Sequence, residues 1–123
     1  MKHVSSKPGA RLRVVIGGRA AMGPGKADLL QGIRDTGSIA AAGRGMRMSY
    51  KRAWQMVERM NMNFGAPLVT TAKGGKQGGG AVLTELGEAV LAHYRRMEAL
   101  TDSAIADELA ALREKVGDGE SEG

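Results

Sequence analysis

The spacing of apolar residues changes repeatedly along this chain, and each change marks an element. From Arg11 to Ile16 the run Arg-Leu-Arg-Val-Val-Ile alternates at first and is rich in branched residues, which predicts a short strand ended by Gly17 and Gly18. Pro24-Gly25-Lys26 then opens a helix in which Leu29, Leu30 and Ile33 share a face, and Thr36-Gly37 stops it. Ser38 has the chemistry of an N-cap for a short helix of small residues, Ile39 to Ala42, which Gly43 and Gly45 end. Ser49 caps a third helix to about Phe64, where Ala53, Val57, Met60 and Phe64 recur at intervals of three and four and Trp54 widens the face. A strand over Leu68 to Lys73 and its partner Ala81-Val82-Leu83 flank a glycine-rich stretch, Gly74 to Gly80, and read as a hairpin.

Thr84 begins the last and longest element, a helix on which Leu86, Val90, Tyr94, Met97, Leu109, Leu112 and Val116 stand near spacings of three and four. Such a stripe packs on its own body or on the same stripe of a second copy, and this one is long enough for both. Leu86, Val90, Tyr94, Met97, Leu109 and Leu112 are accordingly the expected dimerisation residues. The resulting plan is α+β and mainly α: a loose lead-in over 1–10, one folded unit over 11–83, the long helix over 84–116 and an acidic tail over 117–123.

Composition narrows the function. The 123 residues suit one domain, and 42% hydrophobic with 25% charged residues is ordinary globular usage. With no cysteine there are no disulfides, thiolate metal sites or cysteine nucleophiles. No apolar run approaches the ~18–20 residues of a bilayer span, and residues 1–13 lack the apolar core of an export signal, so a cytoplasmic protein is expected. The net charge of +5 hides an asymmetry: through Thr84 the chain carries 14 Lys and Arg against 3 Asp and Glu, a net +11, and from Glu85 onward 4 against 10, a net −6. A basic block of this kind draws in polyanions, nucleic acid above all, because counterion release supplies affinity.

Two short helices meeting at a tight turn, the second opening with Ser49-Tyr50-Lys51-Arg52, have the size and polarity of a helix-turn-helix reader of double-stranded DNA. In that arrangement the first turn of the second helix enters the major groove, where Lys or Arg reaches guanine O6 and N7 while Ser or Tyr holds phosphate. Ser49, Tyr50, Lys51 and Arg52 are the candidate readers, with Ser38 and Arg47 beside them, and Ala53, Trp54 and Val57 face the core. Lys73, Lys76 and Gln77 at the glycine-rich tip make the hairpin a wing for the phosphate backbone.

Enzymatic readings find little support. The strand running into Gly23-Pro24-Gly25-Lys26 suggests a P-loop, but Ala20 stands where its first glycine belongs and Ala27 where the magnesium-binding hydroxyl belongs. His3 and His93 are too far apart for a metal cluster or a triad, and Met48, Met56, Met60 and Met62 read as adaptable packing or surface residues rather than a cofactor site. No enzyme, metal or cofactor is expected.

Gly37-Ser38-Ile39, Ser49-Tyr50-Lys51-Arg52-Ala53-Trp54, Met60-Asn61, Gly74-Gly75-Lys76-Gln77-Gly78-Gly79-Gly80-Ala81-Val82-Leu83-Thr84 and Gly87 together carry a resemblance over roughly Leu12 to Leu112. They resemble the N-terminal DNA-binding domain of the ModE family of molybdate-responsive regulators, with a looser similarity to LysR-type readers. The resemblance implies a winged helix-turn-helix whose long helices pair into a homodimer, each reader and wing gripping half of a roughly palindromic operator. Members that sense molybdate do so through C-terminal oxyanion-binding domains. This chain stops after its long helix, so molybdate binding is not expected of it. A basic adaptor, using the same scaffold to bind a protein or DNA without sequence preference, is the alternative, and salt and sequence dependence separate the two.

Overall fold

A computed structural model describes residues 7–72 and 80–117. In chain order the elements are β1 (Val14–Gly17), β2 (Ala20–Met22), α1 (Pro24–Thr36), α2 (Ile39–Gly45), α3 (Tyr50–Asn63), β3 (Val69–Ala72), β4 (Gly80–Leu83) and α4 (Glu85–Val116). The expected α+β, mainly helical plan is therefore the observed one.

Helices α2, α3 and α4 each begin at a hydroxyl that satisfies a free N–H group. Ser38 Oγ accepts from Ala41 N at 3.0 Å and Ser49 Oγ from Arg52 N at 3.1 Å. Pro24 occupies the first turn of α1, where its missing N–H costs nothing, and Gly37 ends that helix with φ 73°, its N–H donating to Ile33 O at 2.7 Å. The three helices then pack unusually close. A Cβ built on Gly32 would stand 2.9 Å from the Cβ of Ala42, and one on Gly43 would stand 2.9 Å from that of Ala53. These two glycines let α2 nest between α1 and α3, and Ala27, Leu29, Leu30, Ile33, Ala53, Val57 and Met60 close over the shared core. Truncating one of the large members to alanine costs about 2–5 kcal/mol.

The hairpin of β3 and β4 is locked to this core at both ends. Its register pairs Val69 with Leu83, Thr70 with Val82, Thr71 with Ala81 and Ala72 with Gly80. Ala81 N donates to Gly37 O at 2.9 Å, which seats β4 on the end of α1. Leu68 stands outside the ladder, because its N–H goes to Asn61 Oδ1 at 2.8 Å and its carbonyl accepts from Thr84 N at 2.9 Å. Thr84 caps α4 by accepting from Gly87 N at 2.9 Å while its hydroxyl donates to Pro67 O at 2.8 Å. Gly87 is pressed against the Leu68 carbonyl so closely that no side chain fits there.

Two expectations are corrected here. The first strand begins at Val14, not Arg11, and has a partner: Val14 pairs with Met22, Val15 with Ala21 and Gly17 with Ala20. Beyond Met22 the chain turns into α1, so the ladder ends at the Val14–Met22 pair. Ala20, Ala21 and Met22 are fully buried, which is what makes this short unbranched segment a strand. In the same stretch the ammonium of Lys26 donates to Ala21 O at 3.3 Å, so the region that suggests a P-loop is a hairpin running into a helix.

The second correction concerns α4. At about 1.5 Å per residue its 32 residues extend ~48 Å. Tyr94 was expected at a dimer interface, but it is 1% exposed and its hydroxyl donates to Leu12 O at 2.8 Å, so it belongs to the core of its own chain. Val90 is half-buried against that core as well. The helical face that buries Leu91 and Tyr94 continues through Ile105, Leu109, Leu112 and Val116. There the body ends, leaving Leu112 63% and Val116 56% exposed. Leu86 and Met97 remain open on an adjoining face, and Leu109 is half-buried. No helix among the described residues is long and apolar enough to cross a membrane.

Candidate nucleic-acid interface

α3 has two unlike sides. Ala53, Val57 and Met60 are buried, and Trp54 is half-buried against the core, its ring edge-on to Tyr50 with centroids 6.2 Å apart. The other side is open: Lys51, Arg52, Gln55, Glu58, Arg59 and Met62 are all exposed. At 100° per residue Lys51, Gln55 and Met62 fall along the centre of that face, with Arg52 and Arg59 on one flank. Tyr50, 60% exposed, sits at its N-terminal edge. The Ser49 hydroxyl is committed to the cap, as is that of half-buried Ser38, so both position helices rather than present free donors.

Arg44 and Arg47 lie exposed at the turn between α2 and α3. Arg47 has φ 59°, the one non-glycine residue with positive φ among those described. An L-residue there is strained by about 1–2 kcal/mol. The turn closes through Arg47 N to Arg44 O at 3.0 Å and Met48 N to Gly43 O at 2.9 Å.

The ion pairs lie elsewhere. Arg34 meets Glu88 at 3.4 Å, and Arg95 meets Asp28 at 3.0 Å and Glu98 at 3.1 Å, all on α1 and α4. Burial works against the charge of Arg95, but its bonds to Asp28 and Glu98 outweigh this and hold it protonated more firmly than usual. Among the described residues no carboxylate comes within 4.0 Å of Arg44, Arg47, Lys51, Arg52 or Arg59. The helix ends follow the same division. The first turns of α1, α2 and α3 carry no acidic residue, whereas that of α4 carries Glu85 and Glu88. An acid in a first turn is worth about 0.3–1 kcal/mol against the helix dipole, so the three amino-terminal helices leave that field open to an outside anion.

Gln55, Arg59 and Arg44 were not among the sequence-derived candidates. The signal for the first two was the i+4 step from Lys51 to Gln55 to Arg59. Lys73, Lys76 and Gln77 lie outside the described residues. Among the described residues no group of three or more His, Cys, Asp or Glu could hold a metal ion. Of the methionines, Met60 is buried, Met48 and Met56 pack half-buried against the core, and Met62 is 79% exposed.

No protein-family model matches the chain. Among curated proteins it is 52% identical over 80 residues to the molybdenum-pterin-binding protein MopB of Rhodobacter capsulatus, a match covering 65% of this chain and 30% of MopB. It is 39% identical over 89 residues to the molybdenum transport protein ModE of Azotobacter vinelandii, covering 72% of this chain and 33% of that one. It is 41% identical over 71 residues to the DNA-binding transcriptional dual regulator ModE of Escherichia coli K12, covering 58% and 27%. The chain thus spans about a third of the length of the curated relatives it matches. Among solved structures it superposes on the CbnR DNA-binding domain in its complex with DNA, with a TM-score of 0.55 at 21% identity over 71% of this chain and 94% of that one. It also superposes on the full-length LysR-type regulator LysG of Corynebacterium glutamicum with bound effector arginine, with a TM-score of 0.56 at 28% identity over 76% of this chain and 30% of that one. These likenesses are to regulators and binding proteins rather than enzymes. The matched segment of this chain is therefore similar to the ModE, MopA and MopB proteins, and the chain folds as a winged helix extended by a long C-terminal helix.

Proposed function

We propose that this chain is a sequence-specific DNA-binding transcriptional regulator, working in the cytoplasm, that reads the major groove with the open face of α3. The observation that carries this reading is that face itself. Lys51, Arg52 and Arg59 stand on it without carboxylate partners, beside Gln55, on a helix held at a fixed angle by Ala53, Val57 and Trp54. Lys or Arg pairs with guanine and Gln with adenine in that groove, and each good bidentate contact discriminates by about 1–3 kcal/mol. Arg44 and Arg47 contact phosphate beside the reader. The β3–β4 hairpin, seated on α1, carries Lys73, Lys76 and Gln77 to the backbone as a wing.

The stripe of Ile105, Leu109, Leu112 and Val116, half-buried at its first two residues and exposed at its last two, supports a homodimer, in which two readers address a roughly two-fold operator. The names of the relatives suggest that the regulated genes concern molybdenum.

Selection from a pool of random duplexes by the purified protein, with and without molybdate, tests the reading. The expected outcome is an enriched motif with two related half-sites, its binding weakened by salt. Equal retention of all sequences would instead favour an adaptor that binds without base preference.

A further inference from the structure

One residue on the open face of α3 carries a charge opposite to that of its surroundings. Through Thr84 the chain has 3 acidic residues, Asp28, Asp35 and Glu58. Asp28 is held by Arg95 at 3.0 Å and Asp35 lies 3.9 Å from Arg34, so both have partners within the fold. Glu58 is exposed and, among the described residues, has no cation within 4.0 Å. Nor does it serve its own helix. The positions three and four residues away are Trp54, Gln55, Asn61 and Met62, none of them basic. Glu58 also stands beyond the first turn of α3, the stretch in which a carboxylate gains from the helix dipole. Helix propensity does not require it either, since Gln and Lys suit a helix about as well as Glu does.

Its place on the helix gives the carboxylate a use. At 100° per residue Glu58 lies about 20° around the axis from Lys51, and at 1.5 Å per residue about 10 Å along it, between Gln55 and Met62. It therefore stands on the centre line of the open face, no farther from Lys51 than the ~12 Å width of the major groove. A carboxylate brought into that groove is repelled by the phosphates of both strands unless it finds a donor on a base. Cytosine presents one, its N4 amino group, with no acceptor beside it on that base. Guanine shows O6 and N7 and thymine O4, all acceptors, and adenine sets N7 next to its N6 donor. A carboxylate only accepts, so cytosine attracts it and the other three bases turn it away. We propose that Glu58 is a specificity residue whose carboxylate accepts a hydrogen bond from a cytosine amino group in the operator. This rests on the reading of α3 as a DNA reader and adds to its cationic contacts one that selects by repulsion as well as by attraction.

The test measures the whole protein, Glu58→Ala and Glu58→Gln against every single base-pair change in the selected operator and against a scrambled duplex. Glu114→Gln, at an exposed position near the end of α4, is the control for lost negative charge. The parent should prefer cytosine by roughly 10-fold at a position that depends on Glu58. Glu58→Ala should erase that preference, and Glu58→Gln should move it to adenine, the base that pairs with a glutamine amide. Both variants should bind the scrambled duplex about twofold more tightly at low salt, because a charge repelled by phosphate has gone. Glu114→Gln should match the parent in both respects. The side chain at 58 is exposed, so the thermal midpoints of the free variants should stay near that of the parent. Retention of the parent's cytosine preference by both variants overturns the assignment while leaving the reader in place, as does a loss of preference only at a position that holds another base. A parent that discriminates at no position overturns both.

Discussion

Asn61 and Val69 exchange two hydrogen bonds: the Asn61 amide nitrogen donates to Val69 O at 3.1 Å, and Val69 N donates to Asn61 Oδ1 at 3.2 Å. A side chain on α3 thereby takes the place of a neighbouring strand for the first residue of β3, and it also accepts from Leu68 N at 2.8 Å. One side chain thereby ties α3 to the β3–β4 hairpin.

Replacing Asn61 with Ala leaves three backbone groups without these partners, and stability should fall by about 2–3 kcal/mol. Asn61→Asp keeps the acceptor and loses the donor, so its loss should be smaller. Urea midpoints at unchanged slope give the comparison, and equal losses from both changes would mean that the two bonds accepted from Leu68 N and Val69 N contribute nothing.

Arg47 offers a test in which stability and binding move in opposite directions. Arg47→Gly relieves the positive φ at an exposed site, so the free protein should gain up to about 1 kcal/mol despite the flexibility of glycine. Operator affinity should fall several-fold with a shallower salt dependence, as for a lost phosphate contact. Unchanged affinity would assign the residue no part in DNA binding.

Much of this architecture is legible from the chain, and where it is not the reason is physical. Ser38, Ser49 and Thr84 announce their helices because a hydroxyl at that position has one favourable use, and Gly37 marks an end because the turn requires positive φ. β2 is silent because Ala20-Ala21-Met22 carries neither alternation nor branching and becomes a strand only through burial beneath its neighbours. On α3 the exposed Met62 interrupts the polar face and conceals the line from Lys51 through Gln55 to Arg59. Tyr94 has the same spacing whether its helix meets its own body or a second copy, so periodicity could not tell those apart.

The Tyr94 hydroxyl also predicts a pH effect. Its pKa is raised, first by burial and then by the nearby Glu98 carboxylate, so the folded state holds this proton more tightly than the unfolded chain does. The associated stability is complete below the ordinary tyrosine range near pH ~10 and is lost as pH rises through the elevated value. Unfolding midpoints followed above pH ~9 should therefore decline more steeply for the parent than for Tyr94→Phe. Parallel curves would show that burial of the hydroxyl beside Glu98 imposes no such linkage.

The far half of α4 is where pairing should be sensitive. Leu112→Asp with Val116→Asp places charge on the exposed end of the stripe without touching Leu91 or Tyr94. The variant should run as a folded monomer in sedimentation and lose most of its operator affinity. A dimer that survives both changes would place the interface elsewhere.

The most direct test of the reader helix measures affinity against every single base-pair change in the selected operator, for the parent and for Lys51→Ala and Gln55→Ala. Each variant should lose discrimination at one or two neighbouring positions, by about 1–3 kcal/mol, and keep it elsewhere. If both variants retain the parent's full profile, or weaken every duplex alike, the open face of α3 does not read DNA.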